Sequence, residues 1–391
     1  MNATQRGVIT LLKSAVMGEG YLLPEGFELA TEYPALKRHH MDTLLYEGAV
    51  RCGISRQSPV MQQLFQKYCK HLLVSEGQQR QVARIFAEFE ENGIEYLPLK
   101  GCRMKNLYPK PELRYMGDAD ILIRLEQYGG IKPLMEELGF EEGPESDHEL
   151  HWEHRELSVE LHKHLIPSNN EGFYDYYGIG WQLAANREGY CWSMTPEDEW
   201  IFLFTHFAKH FRDGGIGCRY VVDLWVYLRH NPGMDDAYIR REMEKLQLLE
   251  FHDNIRRLID VWFADLPGEK KLDVITDYIF ASGSWGEQES KTISAAVRDS
   301  RTSGRASESK IRYALRIMFP GVRTLRSKYT VLKKHPWLLP GVWVVRPFYK
   351  LLWERESLLR HRDNLHSITD EKVDAWRELL QYMGIDCQFR N

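Results

Sequence analysis

Two hydrophobic periods divide the chain. Through residues 1–92, and again after Trp181, apolar side chains recur every three to four positions. Between them are short stretches that alternate every second position. In "QVARIFAEFEENGI", Val82, Ile85, Phe86 and Phe89 fall at i, i+3, i+4 and i+7, which predicts one buried face of a helix. Gly93 then takes the C-cap role. "IEYLPLK" reads as a short apolar strand, "GCRMKNLY" as a short helix opening at a glycine, and "YMGDADILIR" as the next strand. "YGGIKPLMEELGF" predicts a helix packed by Ile131, Leu134, Met135 and Leu138. In "ELHWEHRELSVELHKHL", Val159 and Leu161 alternate with Ser158, Glu160 and His162, the pattern of a hairpin turning near Arg155–Leu157. "TPEDEWIFLFTHFAKHF" has Thr195 placed to cap, Pro196 at the first helical position and acids in the first turn, a strong helix start. "RYVVDLWVYLRHN" continues as an apolar helix.

These elements predict an α+β protein: a small mixed sheet with helices at both ends. The expected division is a helical N-terminal region (1–92), an α/β core (93–180), a helical domain (181–297), a polar Ser/Gly/Arg-rich linker (298–310), and a basic, aromatic-rich C-terminal region (311–391).

Composition narrows the classes. A net charge of −5 over 391 residues is no nucleic-acid signature. The charge is uneven, however: residues 301–360 hold 14 Lys and Arg against 3 Asp and Glu, which leaves the rest of the chain strongly acidic. The six cysteines, Cys52, Cys69, Cys102, Cys191, Cys218 and Cys387, show no CxxC spacing and read as free thiols of a reducing compartment. No apolar run reaches the ~20 residues of a spanning helix. The N-terminal stretch lacks the basic start and long apolar core of a secretion signal. A cytoplasmic location is expected, peripheral to a membrane if the C-terminal segment docks on one.

One stretch breaks the apolar pattern. Asp118 and Asp120 lie one residue apart inside the strand "GDADILI", so both point to the same face. A like-charged pair there is costly unless a cation neutralises it. The next strand supplies a third acid, Glu160. If the two strands are neighbours, three carboxylates converge, and hard oxygen ligands select Mg²⁺ or Mn²⁺. The usual work of a two-metal carboxylate site is phosphoryl or nucleotidyl transfer. The plainer reading of Asp-x-Asp alone is a solvated strand face. Gly117 upstream and Glu160 downstream weigh against it.

In that order "LPLKG" (Leu97–Gly101), "LRYMGDADILI" (Leu113–Ile123) and "VELH" (Val159–His162) resemble the nucleotidyltransferase superfamily of the DNA polymerase β type, and within it the bacterial branch of uncharacterised nucleotidyltransferases. The resemblance is sharp over residues 97–165. It implies that Gly101 opens the phosphate-binding turn and that Asp118 and Asp120 are paired metal ligands. Glu160 becomes the acid that holds the catalytic metal and helps deprotonate the acceptor. The chain departs from the family at Cys102, where a glycine or serine is usual. A thiol is a poor hydrogen-bond donor, so backbone N–H groups at the helix start are the expected substitute for phosphate contact.

Lys100 and Arg114 flank the motif and are candidate phosphate clamps. The alternative is a surface lysine and an arginine paired with Glu112. His148, His151, His154, His162 and His164 crowd one segment without a zinc-like spacing. His162, on the strand face of Glu160, is expected beside the site. His206 and His210 sit i, i+4 without the glutamate of an H-E-x-x-H motif. A helix lining the cleft with His210 or Arg219 touching substrate competes with core packing there, and Arg219 and Asp223 are spaced to pair with each other. Trp181, Trp192 and Trp200 are expected at the interface between the α/β core and the helices, with base stacking as the alternative.

The expected activity is transfer of a nucleoside monophosphate from an NTP, ATP favoured, to a hydroxyl acceptor with two Mg²⁺ or Mn²⁺ ions. The acceptor is a sugar or glycan precursor, a small molecule or a protein. Templated polymerisation is not expected, since no basic groove interleaved with aromatics lies near the motif. The rival readings are an inactive nucleotide-binding scaffold with the same fold, and a helical interaction protein whose acid pair is accidental. The segment 331–355 combines Trp337, Trp343 and Trp353 with Lys333, Lys334, Arg346, Lys350 and Arg355, a membrane-surface composition. It is expected to be broken by Pro336, Pro340 and Pro347. Packing onto the helical domain, or a protein partner, are the alternatives.

Overall fold

The computed structural model describes residues 1–168, 170–283, 331–353 and 369–385, together with Phe319, Leu325 and Tyr329. The polar linker expected at 298–310 lies outside the described residues, as does Cys387.

Four helices precede the first strand: α1 (Ala3–Met17), α2 (Leu29–Leu36), α3 (Asp42–Arg51) and the long α4 (Pro59–Glu91). The sheet then begins with β1 (Tyr96–Pro98), followed by the short α5 (Lys100–Met104), β2 (Asp118–Ile123) and α6 (Tyr128–Glu137). Next come β3 (Glu141–Glu145), β4 (Glu149–His154), β5 (Leu157–His162) and α7 (Glu171–Tyr177). Two short strands, β6 (Asn186–Glu188) and β7 (Cys191–Ser193), complete it. Helices α8 (Pro196–Arg212), α9 (Cys218–His230), α10 (Asp236–Lys245), α11 (Leu249–Phe263) and α12 (Lys270–Ser282) follow. The strand order is β3-β4-β5-β2-β1-β7-β6. β2 pairs with β5 and β1 with β7 in parallel, while β1–β2, β3–β4, β4–β5 and β6–β7 are antiparallel. The sheet therefore runs past residue 180, because β7 pairs with β1 before the helical region starts.

The strand period decides what each face does. Ala119, Ile121 and Ile123 of β2, with Val159 and Leu161 of β5 and Trp152 of β4, form one buried cluster with Ile85 and Phe89 of α4 and Ile131 and Met135 of α6. The odd positions thus close one side of the sheet. Each fully buried Ile or Leu in that layer contributes about 1.5–3 kcal/mol of transfer free energy. On the other side, Leu97 and Leu122, directly paired across β1 and β2, belong to the larger core with Trp200, Phe204 and Phe207 of α8. Asp118 and Asp120 share the face of Leu122 and so look toward the α8 side, not toward α4.

Thr195 caps α8 by accepting a hydrogen bond from the Asp198 backbone N–H at 3.1 Å. That helix buries Trp200, Phe204, Phe207 and Phe211, spaced by three and four residues. Trp181 and Trp192 stand edge to face at 6.5 Å, and the Trp181 indole donates to the Ile123 carbonyl, so these two do join sheet to helices. Trp200 instead lies wholly among helices, donating its indole N–H to His252 at 3.1 Å beside Phe204 and Tyr227.

In the C-terminal region one helix spans Leu339–Trp353 and another Asp370–Tyr382. The expectation that Pro340 and Pro347 break the segment is corrected: the helix passes through both. Pro340 falls in its first turn, where no N–H donor is required. Leu332 and Val342 are buried with Leu325 in a small cluster separate from both main cores. No described helix is long and apolar enough to cross a membrane.

Candidate active site

β2 and β5 run side by side in a register that sets Asp118 opposite Ser158 and Asp120 opposite Glu160. β4 adds Glu149 opposite His162 and His151 opposite Glu160. Asp118, Asp120, Glu149 and Glu160 floor a cavity of about 360 Å³. Lys100 and Gly101 form one wall, and the loop Arg114–Gly117 another. His206, Lys209 and His210 of α8 and Arg219 and Tyr220 of α9 cover it from the helical side.

Asp120 is the anchor. It is buried, and its Oδ1 accepts from the Lys100 ammonium at 2.6 Å and from His162 Nε2 at 2.9 Å. Burial would raise its carboxyl, but Lys100 and then His162 outweigh it and hold it well below the usual carboxylate range. Burial likewise disfavours the Lys100 charge, and Asp120 overrides it to raise the ammonium above its ordinary value. Lys100 adopts φ of +37° at the entry to α5, a strained conformation for a residue with a Cβ. His162 is held below its ordinary pKa by burial against the pull of Asp120. Its Nδ1 is buried without a partner.

The other carboxylates divide. Burial, then the neighbouring Asp120, raises Asp118. Burial, then Asp118 and Asp120, raises Glu160. Glu149 goes the other way: burial opposes its charge, but hydrogen bonds from His148 at 2.9 Å and His151 at 3.0 Å prevail and lower it. One ligand atom each from Asp120, Glu160 and His162 lies within 4.8 Å of the others. Glu149 with His151 and Glu160, and Glu149 with His148 and His162, form two overlapping groups of the same kind. Asp118 joins none of these three, although it faces the same cavity. The crowded carboxylate oxygens, which raise the proton affinity of Asp118 and Glu160, fit a hard divalent cation.

Gly101 is required by close approach. A Cβ there would meet Met116 at 2.9 Å and the Arg114 guanidinium at 3.3 Å. Three other expectations are corrected. Arg114 borders the cavity but does not pair with Glu112. It makes a buried two-point ion pair with Asp223 of α9, at 2.8 and 3.0 Å, and Tyr108 donates to the same carboxylate at 2.7 Å. Glu112 instead accepts from Tyr68. Arg219 therefore does not pair with Asp223: it donates to the Tyr115 carbonyl at 2.9 Å, and its Nε is buried without a partner. Cys102 packs against the apolar cluster under the sheet rather than lining the cavity, and its backbone N–H is taken by the Leu99 carbonyl. Burial, then Asp120, pushes its thiol up to about 12.

His210 and His206 reach the cavity with their Nε2 atoms 3.0 Å apart. Burial, then Lys100 and His210, drops His206 well below its ordinary value, so one imidazole donates to a neutral other. Lys209 and Glu149 escaped sequence reading. Lys209 lines the cavity with no ion pair among the described residues, and burial, then Lys100, lowers it to about 8. Its signal was the i, i+3 spacing from His206 on a helix already expected to face the cleft. None of the three tryptophans lines the cavity.

Comparison with curated proteins and with solved structures finds no match. The family model described as "Uncharacterised nucleotidyltransferase" matches residues 28–264, which contain every side chain of the cavity. With more than half of its length covered, the chain belongs to that nucleotidyltransferase family.

Proposed function

We propose that the cavity transfers a nucleoside monophosphate from an NTP, ATP favoured, to a hydroxyl acceptor. The observation that carries this is the pairing of Asp120 with Glu160 on adjacent parallel strands, with Asp118 on the same face, at the floor of a cation-lined cavity. Asp118, Asp120 and Glu160 would hold the divalent cations. Bound there, such ions supply neutralisation of the triphosphate and acidify the acceptor hydroxyl. Lys209 and Arg219 bind and orient the phosphates from the helical side. The Arg114–Asp223 pair fixes the loop that carries Arg219's partner, Tyr115. Glu160, opposite Asp120 on the adjacent strand, is placed to help take the acceptor's proton. The acceptor oxygen bonds to the α-phosphorus, the bond to the β-phosphate oxygen breaks, and pyrophosphate leaves with the electron pair.

The acceptor class rests open among a sugar or glycan precursor, a small molecule and a protein side chain. Incubating the protein with α-labelled NTPs, Mg²⁺ or Mn²⁺ and a cell extract identifies it by which molecule is labelled. Label that appears with wild type and vanishes with Asp118→Asn supports the reading. Metal-dependent NTP binding without pyrophosphate release would select the inactive scaffold instead.

A second reading concerns location. We propose that residues 331–355 contact an anionic membrane surface. Trp337, Val344 and Val345 are 73, 65 and 59% exposed in a segment of basic composition, which favours this over packing onto the helical domain.

A further inference from the structure

A second cavity, of about 370 Å³, opens on the far side of Tyr115. Tyr115 borders both it and the catalytic cavity. Its ring is fixed from both sides. It stacks on His71 at 5.5 Å and 21°, it leans on His40 at 5.3 Å, and the Arg219 guanidinium lies 5.9 Å from its centre. Tyr115 stands three residues before Asp118 and is an edge the two cavities share.

The lining carries two lysines against one acid. Lys67 and Lys70 project into it from α4, against a single acid, Asp42. Asp42 is already engaged, accepting from Lys67 at 3.1 Å and from Tyr33 at 2.6 Å. Lys70 is exposed and has no ion pair among the described residues. His71 hydrogen-bonds to the Arg114 backbone, which leaves its Nε2 buried without a partner. An ammonium without a carboxylate and an imidazole nitrogen without a donor line one concave, ligand-sized space. They call for a ligand that brings an oxyanion for the lysine and a hydroxyl for the imidazole.

We infer that this cavity is the acceptor subsite and that it holds, between Lys67 and Lys70, an oxyanion of a small polyhydroxylated acceptor. The inference rests on the transfer reading of the neighbouring cavity. It deepens that reading by favouring a phosphate- or carboxylate-bearing small molecule over a protein side chain. Lys70 acts as a point charge for that oxyanion, and the reacting hydroxyl reaches past Tyr115, the residue that borders both cavities.

The test separates the two readings. Full-length protein saturated with Mg-ATP is titrated at low ionic strength with inorganic phosphate and, separately, with acetate, following the melting temperature. Saturable stabilisation by wild type is expected. Phosphate alone giving it identifies a phosphate-bearing acceptor, and both giving it leaves a carboxylate equally suited. Lys70→Gln, at an exposed unpaired position, should weaken the anion at least fivefold, and Lys67→Gln likewise. Lys132→Gln, on the surface elsewhere, should change nothing. Equal stabilisation of wild type, Lys70→Gln and Lys67→Gln, or none in wild type, overturns the inference. If Lys67→Gln fails to fold, Lys70→Gln decides alone. Failure of Mg-ATP itself to bind would count against the transfer reading, while the anion titration still reports on the second cavity.

Discussion

Lys100 Nζ lies 2.6 Å from Asp120 Oδ1, on the carboxylate expected to ligate a metal. Without a divalent cation, the lysine is the charge that makes a buried aspartate tolerable, with His162 as the second donor at 2.9 Å. Asp118, one residue-pair away on the same face, has no such partner among the described residues, and its carboxyl is raised where that of Asp120 is lowered. Two acids with one sequence signature therefore carry opposite energetic signs.

That difference is measurable in the metal-free protein. Asp118→Asn removes a destabilising charge and should raise the melting temperature by a few degrees. Asp120→Asn strands the Lys100 ammonium and should cost about 3–5 kcal/mol, as breaking a buried pair does. Both should abolish transfer. Equal melting shifts for the two variants would show that Lys100 does not hold Asp120 in solution.

Arg114 and Lys209 should separate structure from binding. Arg114→Ala leaves Asp223 and Tyr108 without their buried partner, and a loss of about 3–5 kcal/mol is expected in denaturant unfolding. Lys209→Ala removes no ion pair among the described residues, so the melting temperature should stay within a degree or two while Mg-ATP affinity falls roughly tenfold, the ~1.4 kcal/mol of one charged contact. An Arg114→Ala variant that melts like wild type but fails to bind nucleotide would return the arginine to the role its sequence position suggested.

These contrasts mark what the sequence held. Strand periods and a capping pattern are local, so β2, β5, the hairpin and the start of α8 could be read directly from residues a few positions apart. The facing of Asp120 and Glu160 required the guess that two strands are neighbours, and the shared alternation made that guess reasonable. The partner of Arg114 was illegible. Glu112 is two residues away, and nothing local announces that Asp223, across the fold on α9, is the carboxylate that meets it. Linear spacing likewise hid the meeting of Glu149 with His162 and of His151 with Glu160, because antiparallel pairing, not a motif, sets them opposite each other.

Acid stability follows from two histidines far from the cavity. His39 Nδ1 accepts from the Cys218 backbone N–H at 3.2 Å, and His252 Nε2 accepts from the Trp200 indole at 3.1 Å. Each is buried, and burial first, then Arg38 or Arg256, lowers it to about 4. The unfolded chain binds these protons at about 6.5, so between pH 6.5 and 4 it carries more protons than the native state. Stability is present above pH 6.5 and is lost as pH falls through 4, by about 3 kcal/mol per histidine. His252→Gln, which keeps an acceptor, should flatten the acid limb of a denaturation midpoint plotted against pH. An unchanged limb in that variant would assign the acid loss to other groups.

The C-terminal helix Leu339–Trp353 sets the last expectation. Its described residues show Val344 and Val345 exposed, and the neighbouring Trp337 is more exposed still. Leu332 and Val342 bury only into their own small cluster. Apolar side chains left in water beside basic residues gain free energy at a lipid headgroup boundary, through both burial and attraction to anionic lipids. The protein should therefore pellet with anionic liposomes at low salt and be released by high salt, as screening over about 10 Å at 0.1 M requires. Trp337→Ala combined with Val344→Ser should weaken pelleting, and deleting 331–355 should abolish it with Mg-ATP binding unchanged. A full-length protein that stays in the supernatant at low salt would assign this face to packing or to a protein partner, and the acceptor would then need no membrane to present it.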